Sequence, residues 1–83
     1  PNPFNPSTRI VIDLPVPTRV RLVVYDVKGG LVATLIDGHT SAGRKEAFWN
    51  GKNSSGARAV SGIYFYRITA GSFTQTKKMV LLK

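Results

Sequence analysis

The side chains able to do acid–base, nucleophilic or metal chemistry are few. In 83 residues the carboxylates are Asp13, Asp26, Asp37 and Glu46, the imidazole is His39, and there is no cysteine. Catalysis by such groups needs them within hydrogen-bond reach of one another or of a substrate. The four acids fall in different strands and turns, and no two share a local spacing suited to that work. His39 stands in a Thr/Ser/Gly stretch with only Asp37 near it, which reads as a solvated loop side chain. The run Asn50-Gly51-Lys52-Asn53-Ser54-Ser55-Gly56 spaces oxygen-bearing side chains as calcium loops do. It has no carboxylate to supply affinity and it includes Lys52, so it reads as turn scaffold. Gly29-Gly30 lacks the strand–loop–helix setting of a phosphate loop. The expectation is a protein that is not an enzyme and carries no metal or cofactor.

Composition narrows the partner classes. Twelve Lys and Arg against four Asp and Glu give a formal net charge of +8, a balance compatible with nucleic acid, an anionic membrane surface or an acidic protein. The cations are dispersed, and most alternate with apolar residues as solvent-facing strand positions do. Neither a nucleic-acid partner nor membrane insertion is expected, since no apolar run approaches the roughly 20 residues that span a bilayer. No secretory signal pattern stands at the start. The opening Pro1-Asn2-Pro3, without an initiator Met, reads as a module of a longer protein. Tyr25, Phe48, Phe65 and Phe73 are candidates for outer faces. They make an accessory carbohydrate-binding or spacer module the alternative use of this chain.

The elements that position these residues have period two. Ile10, Ile12 and Leu14 share a face opposite Arg9, Val11 and Asp13. Val20, Leu22 and Val24 oppose Arg19, Arg21, Val23 and Tyr25. Asp26 to Gly30 is a turn leading to a strand over Leu31 to Ile36, which Asp37-Gly38 ends before a polar loop from His39 to Gly43. Arg44 to Trp49 follows, with Trp49 as core anchor; then comes a short strand at most over Arg58 to Val60. Ile63 to Ala70 is a long strand with Tyr64, Tyr66 and Ile68 on one face, and Phe73 to Leu82 closes the sheet. No window has helical periodicity. Short strands at turn spacings of about 8 to 12 residues predict an all-β fold, an immunoglobulin-like antiparallel β-sandwich of about seven strands. It occupies residues 1–83 as one domain, with residues 1–7 as an extended, Pro-rich lead-in. Tyr64, opening a long strand after a short one, matches the position from which a Tyr hydroxyl bonds back across a sandwich corner.

Five motifs in order carry a resemblance: Pro1-Asn2-Pro3-Phe4-Asn5-Pro6-Ser7-Thr8, Val24-Tyr25-Asp26-Val27-Lys28-Gly29, Trp49-Asn50-Gly51, Ser61-Gly62-Ile63-Tyr64-Phe65-Tyr66, and Lys77-Lys78-Met79-Val80-Leu81-Leu82-Lys83. Together they resemble the C-terminal sorting domain of type IX secretion substrates (the type A group). The chain is also similar to the immunoglobulin-like domain of the flagellar hook-capping protein. The family often has Asp where Asn50 and Asn53 stand. The sorting-domain resemblance implies a non-catalytic module that directs upstream cargo domains of the same chain through the outer-membrane type IX secretion translocon. In many cases an associated sorting peptidase then removes it. It implies an exported protein, periplasmic in transit and then at the cell surface or extracellular. The family's recognition elements map onto Pro1, Asn2 and Pro3, onto Gly62 and Tyr64, and onto Lys77, Lys78, Met79, Val80, Leu81, Leu82 and Lys83. The closing strand is expected at a sheet edge, where Val80 and Leu82, or Met79 and Leu81, supply the apolar anchor. On this reading a chain lacking Lys77 to Lys83 largely keeps its fold.

Overall fold

The computed structural model describes residues 8–82. Pro1, Asn2, Pro3, the rest of the expected lead-in, and Lys83 lie outside the described residues. Six strands follow one another: β1 (Thr8–Leu14), β2 (Thr18–Asp26), β3 (Leu31–Thr40), β4 (Gly43–Trp49), β5 (Gly62–Ala70) and β6 (Phe73–Leu81). β1 and β4 form a two-stranded sheet, and the order β3-β2-β5-β6 forms a four-stranded one. All pairings are antiparallel. The immunoglobulin-like sandwich is thus present with six strands. The short seventh segment reduces to a single bridge between Lys52 and Arg58.

Alternation places the core as the pattern predicts. Ile10, Ile12 and Leu14 of β1 pack on Val20, Leu22 and Ile68. A second cluster joins Val24, Ala33, Trp49, Ala59, Tyr64 and Leu81. Each Val, Leu or Ile among them contributes about 1.5–3 kcal/mol when fully buried, and with no disulfide possible these two clusters hold the sheets together.

Two local expectations change. β3 does not end at Asp37-Gly38 but runs on to Thr40, so His39 is a strand residue and not a loop one. Register explains this. Asp37 lies opposite Arg21, His39 opposite Arg19, and Gly38 opposite Val20 on the inner face. The Arg19 Nη2 donates diagonally across the ladder to Asp37 Oδ1 at 2.7 Å, so cross-strand context overrides the turn preference of Asp-Gly. Val23, expected on the solvent face, is 1% exposed. Its neighbour Arg67 lies opposite it on β5. The Arg67 guanidinium sits 5.2 Å from the centre of the Tyr25 ring and its Nε donates to Thr76 Oγ1 at 3.3 Å. A register shift in the β2–β3 pairing also falls between Leu22 and Val23, so strict alternation does not hold there.

The β2–β3 turn is built as its residues dictate. Asp26 Oδ1 accepts from the backbone N–H groups of Lys28 and Gly30 at 2.9 and 2.8 Å. Gly29 takes φ +84°, the left-handed conformation that glycine adopts without a Cβ penalty.

Candidate functional site

The sequence singles out three separate segments. The register brings two of them together: Gly62 lies opposite Leu81, Ile63 opposite Val80, Tyr64 opposite Met79, Phe65 opposite Lys78 and Tyr66 opposite Lys77. Gly62, Tyr64 and the stretch from Lys77 to Leu81 are therefore two sides of one hairpin, β5–β6, at the edge of the larger sheet. The third segment, Pro1 to Pro3, is outside the described residues, as is Lys83.

Within the hairpin the residues divide by face. Tyr64 is 4% exposed and its hydroxyl donates to the Val60 carbonyl at 2.6 Å, the corner bond its position predicts. Its ring meets Trp49 edge-on, with centroids 5.0 Å apart and planes at 61°, a favoured aromatic geometry. The Trp49 indole N–H donates to the Lys52 carbonyl at 2.9 Å. Gly62 has φ +152°, a conformation that side-chain-bearing residues rarely adopt, so its glycine is required by the backbone. Leu81 is buried against Trp49 and Tyr64, with Met79 half-buried beside it.

The outward side is different. Val80 is 56% exposed and Leu82 72%. Lys78 is exposed on this side as well, while Lys77 is exposed on the other face of the strand. Of the two anchor pairs that the sequence allows, Met79 and Leu81 are spent in the core. Val80 and Leu82 are the apolar groups a partner can reach. Leu81 also corrects the expectation that the fold largely survives without Lys77 to Lys83. Removing that stretch takes out a buried leucine of the Trp49 cluster and half of the strand that covers β5.

The described residues hold no cluster of three or more potential metal ligands. In the loop after Trp49, Asn53 Oδ1 accepts from the Ser55 and Ala57 backbone N–H groups and from the Ser55 hydroxyl. Asn50 Oδ1 accepts from the Lys52 N–H. The loop's amide oxygens are turned inward to its own donors, as Asx turns require. The aromatic candidates scatter. Phe48 is exposed opposite Arg9 on the small sheet, Phe73 is exposed at the start of β6, and only Tyr25 and Phe65 are neighbours, paired across β2 and β5.

Comparison with known proteins agrees with the sandwich. A family model described as the FlgD Ig-like domain matches residues 4–73. Among solved structures, the chain is similar to FlgD from P. aeruginosa, at 29% identity and a TM-score of 0.69. The match covers 90% of this chain and 59% of that one. None of the curated proteins compared matches. The family match stops at Phe73, so Lys77 to Leu82 lie beyond it.

Proposed function

The chain belongs to the FlgD Ig-like domain family, and from that premise we propose that it is a non-catalytic C-terminal sorting module of a type IX secretion substrate. It directs upstream cargo through the outer-membrane translocon, and the sorting peptidase of that pathway is its second partner. The protein passes through the periplasm and ends at the cell surface or outside the cell. The observation that carries this reading is the state of β6. The edge strand presents Val80, with Leu82 just beyond its end, to solvent on the same side as Lys78, while Leu81 and Met79 fix it to the core. A receptor sheet can add to such an edge through main-chain hydrogen bonds, with apolar pockets and acidic residues reading the side chains. Rigid presentation limits the ordering entropy lost on docking.

The test is export of a reporter enzyme fused ahead of the chain in a bacterium that has the pathway. Val80→Glu with Leu82→Glu should leave the melting temperature unchanged and hold the reporter in the periplasm, whereas Thr74→Glu, near the start of the same strand, should not. Normal export of the double variant overturns the proposal.

One observation favours the carbohydrate alternative: Tyr25 and Phe65 lie side by side. Arg67 already covers the Tyr25 ring, the face a sugar needs. Retention on an insoluble polysaccharide, lost in Phe65→Ala, is the result that would favour this second reading.

A further inference from the structure

The two layers of the sandwich are unequal, and the shortfall has a definite place. β4 lies beside β3 and β1 packs over β2 and β5, so the small sheet, which reaches β6 through Trp49 at the Leu81 end, stops short of it at the Phe73 end. Cross-strand partners share a face. Phe73 pairs with Ala70, Gln75 with Ile68 and Lys77 with Tyr66, and Ala70, Ile68 and Tyr66 all pack into the core. Phe73, Gln75 and Lys77 are therefore on the core side of the large sheet, yet all three are exposed, Phe73 by 56%. Between Phe73 and β1 lies a cleft of about 440 Å³ lined by Ile12, Leu14, Val16, Ile68, Ala70 and Phe73, and Gln75 and Lys77 continue the same face of β6 beyond it. Among the described residues β1 pairs only with β4, so its other edge offers unpaired backbone groups to this cleft.

We propose that this space is a binding slot for one extended segment of a second, acidic protein, which adds to β1 as a third strand of the small sheet and covers the inner face of β6. The slot is distinct from the outer edge of β6 and stands whether or not the chain is a secretion tag. β1 is seven residues long, so the guest needs about seven to nine residues. Antiparallel pairing is the more stable and is the arrangement of every pair in this fold. Antiparallel to β1, the guest enters at the Leu14 end. Its first inward side chain then meets Phe73 and Ala70, the next Ile68 and Gln75, the third Tyr66 and Lys77. Inward positions come every second residue, which specifies an apolar residue followed, four positions on, by Asp or Glu. Charge selects an acidic protein over a second copy of this chain. Each copy carries +8 and two copies repel, whereas an acidic strand is drawn in. Asp13 borders the cleft at its Leu14 end and so reinforces placement of the guest's acid away from it, beyond the cleft toward Lys77.

The experiment titrates the 83-residue chain with a fluorescent peptide of about nine residues. It has Val at its third and fifth positions, Glu at its seventh and Thr elsewhere, and is followed by anisotropy and by amide hydrogen exchange. Binding should slow exchange at Thr8 to Leu14. Phe73→Ser should weaken binding about tenfold. Lys77→Glu should weaken the Glu peptide about two- to fivefold, the range of an exposed ion pair, and strengthen a peptide with Lys in place of Glu. Neither side chain is buried, so both variants fold; unchanged melting temperatures verify it. Protection confined to the outer edge of β6, equal affinity for the Glu and Lys peptides, or peptide-independent dimerisation through β1 overturns the proposal.

Discussion

The phenol of Tyr64 bonds a carbonyl inside its own loop, and that local closure makes it a fold residue. Tyr64→Phe removes the donor and leaves the Val60 carbonyl short of its partner. The cost is about 1–3 kcal/mol, measurable by urea unfolding. Leu81 and Val80 are sequence neighbours on opposite faces, and they separate folding from surface properties cleanly. Leu81→Ala should cost about 2–5 kcal/mol through the cavity left beside Trp49. Val80→Ala should change stability by no more than about 0.5 kcal/mol. Equal losses in the two variants would mean that β6 is not seated as described. At this scale the sequence was readable wherever alternation was strict. Ile10, Ile12, Leu14, Trp49, Tyr64 and Ile68 are buried as their pattern predicts. It was misleading at Val23, where the β2–β3 register shifts between Leu22 and Val23 and Arg67 stands opposite on β5, cross-strand features that no local pattern announces.

Among the strands, β2 is central and β6 is peripheral. β2 is paired on both sides, by β3 and β5, while among the described residues β6 touches the sheet through β5 alone. Amide exchange should therefore be slowest in β2, with Val20 to Val24 reporting global unfolding, and faster in β6, where half of the backbone groups face away from β5. Deleting Lys77 to Lys83 should lower the melting temperature and expose the Trp49 cluster, so a secretion defect in that deletion cannot be ascribed to recognition alone. The element boundaries illustrate what pattern reading sees and misses. The β5–β6 hairpin and its Gly71-Ser72 turn stand where period two and turn chemistry put them. β3 outlasts its Asp-Gly signal because Arg19 and Arg21 wait across the sheet to receive it. The expected seventh strand shrinks to one bridge because Asn53 folds its loop back on itself before a ladder forms. That Gly62-Ile63-Tyr64 and the basic-apolar tail lie opposite each other was not legible, since register is a property of the pair and not of either strand.

Taken whole, the molecule is a strongly cationic slab with little internal compensation. Two side-chain ion pairs are present among the described residues, Arg9 with Glu46 and Arg19 with Asp37, and both are solvent-exposed. Such pairs are worth about 0–1 kcal/mol each, so self-repulsion of the +8 charge outweighs them. Raising ionic strength from about 10 mM to about 150 mM shortens the screening length from roughly 30 to 8 Å. The melting temperature should rise across that range in sodium chloride. A fall would show that the ion pairs dominate. The fold class was fully legible at this scale; the mismatch in width between the layers was not, because it depends on which strands pair. Finally, the chain has a single tryptophan, 1% exposed, on the small sheet and wedged against residues of both strands of the β5–β6 hairpin. Nature has thereby installed an optical gauge at the seam: emission from Trp49 will redden when the layers part, so one unlabelled sample reports cohesion of the sandwich.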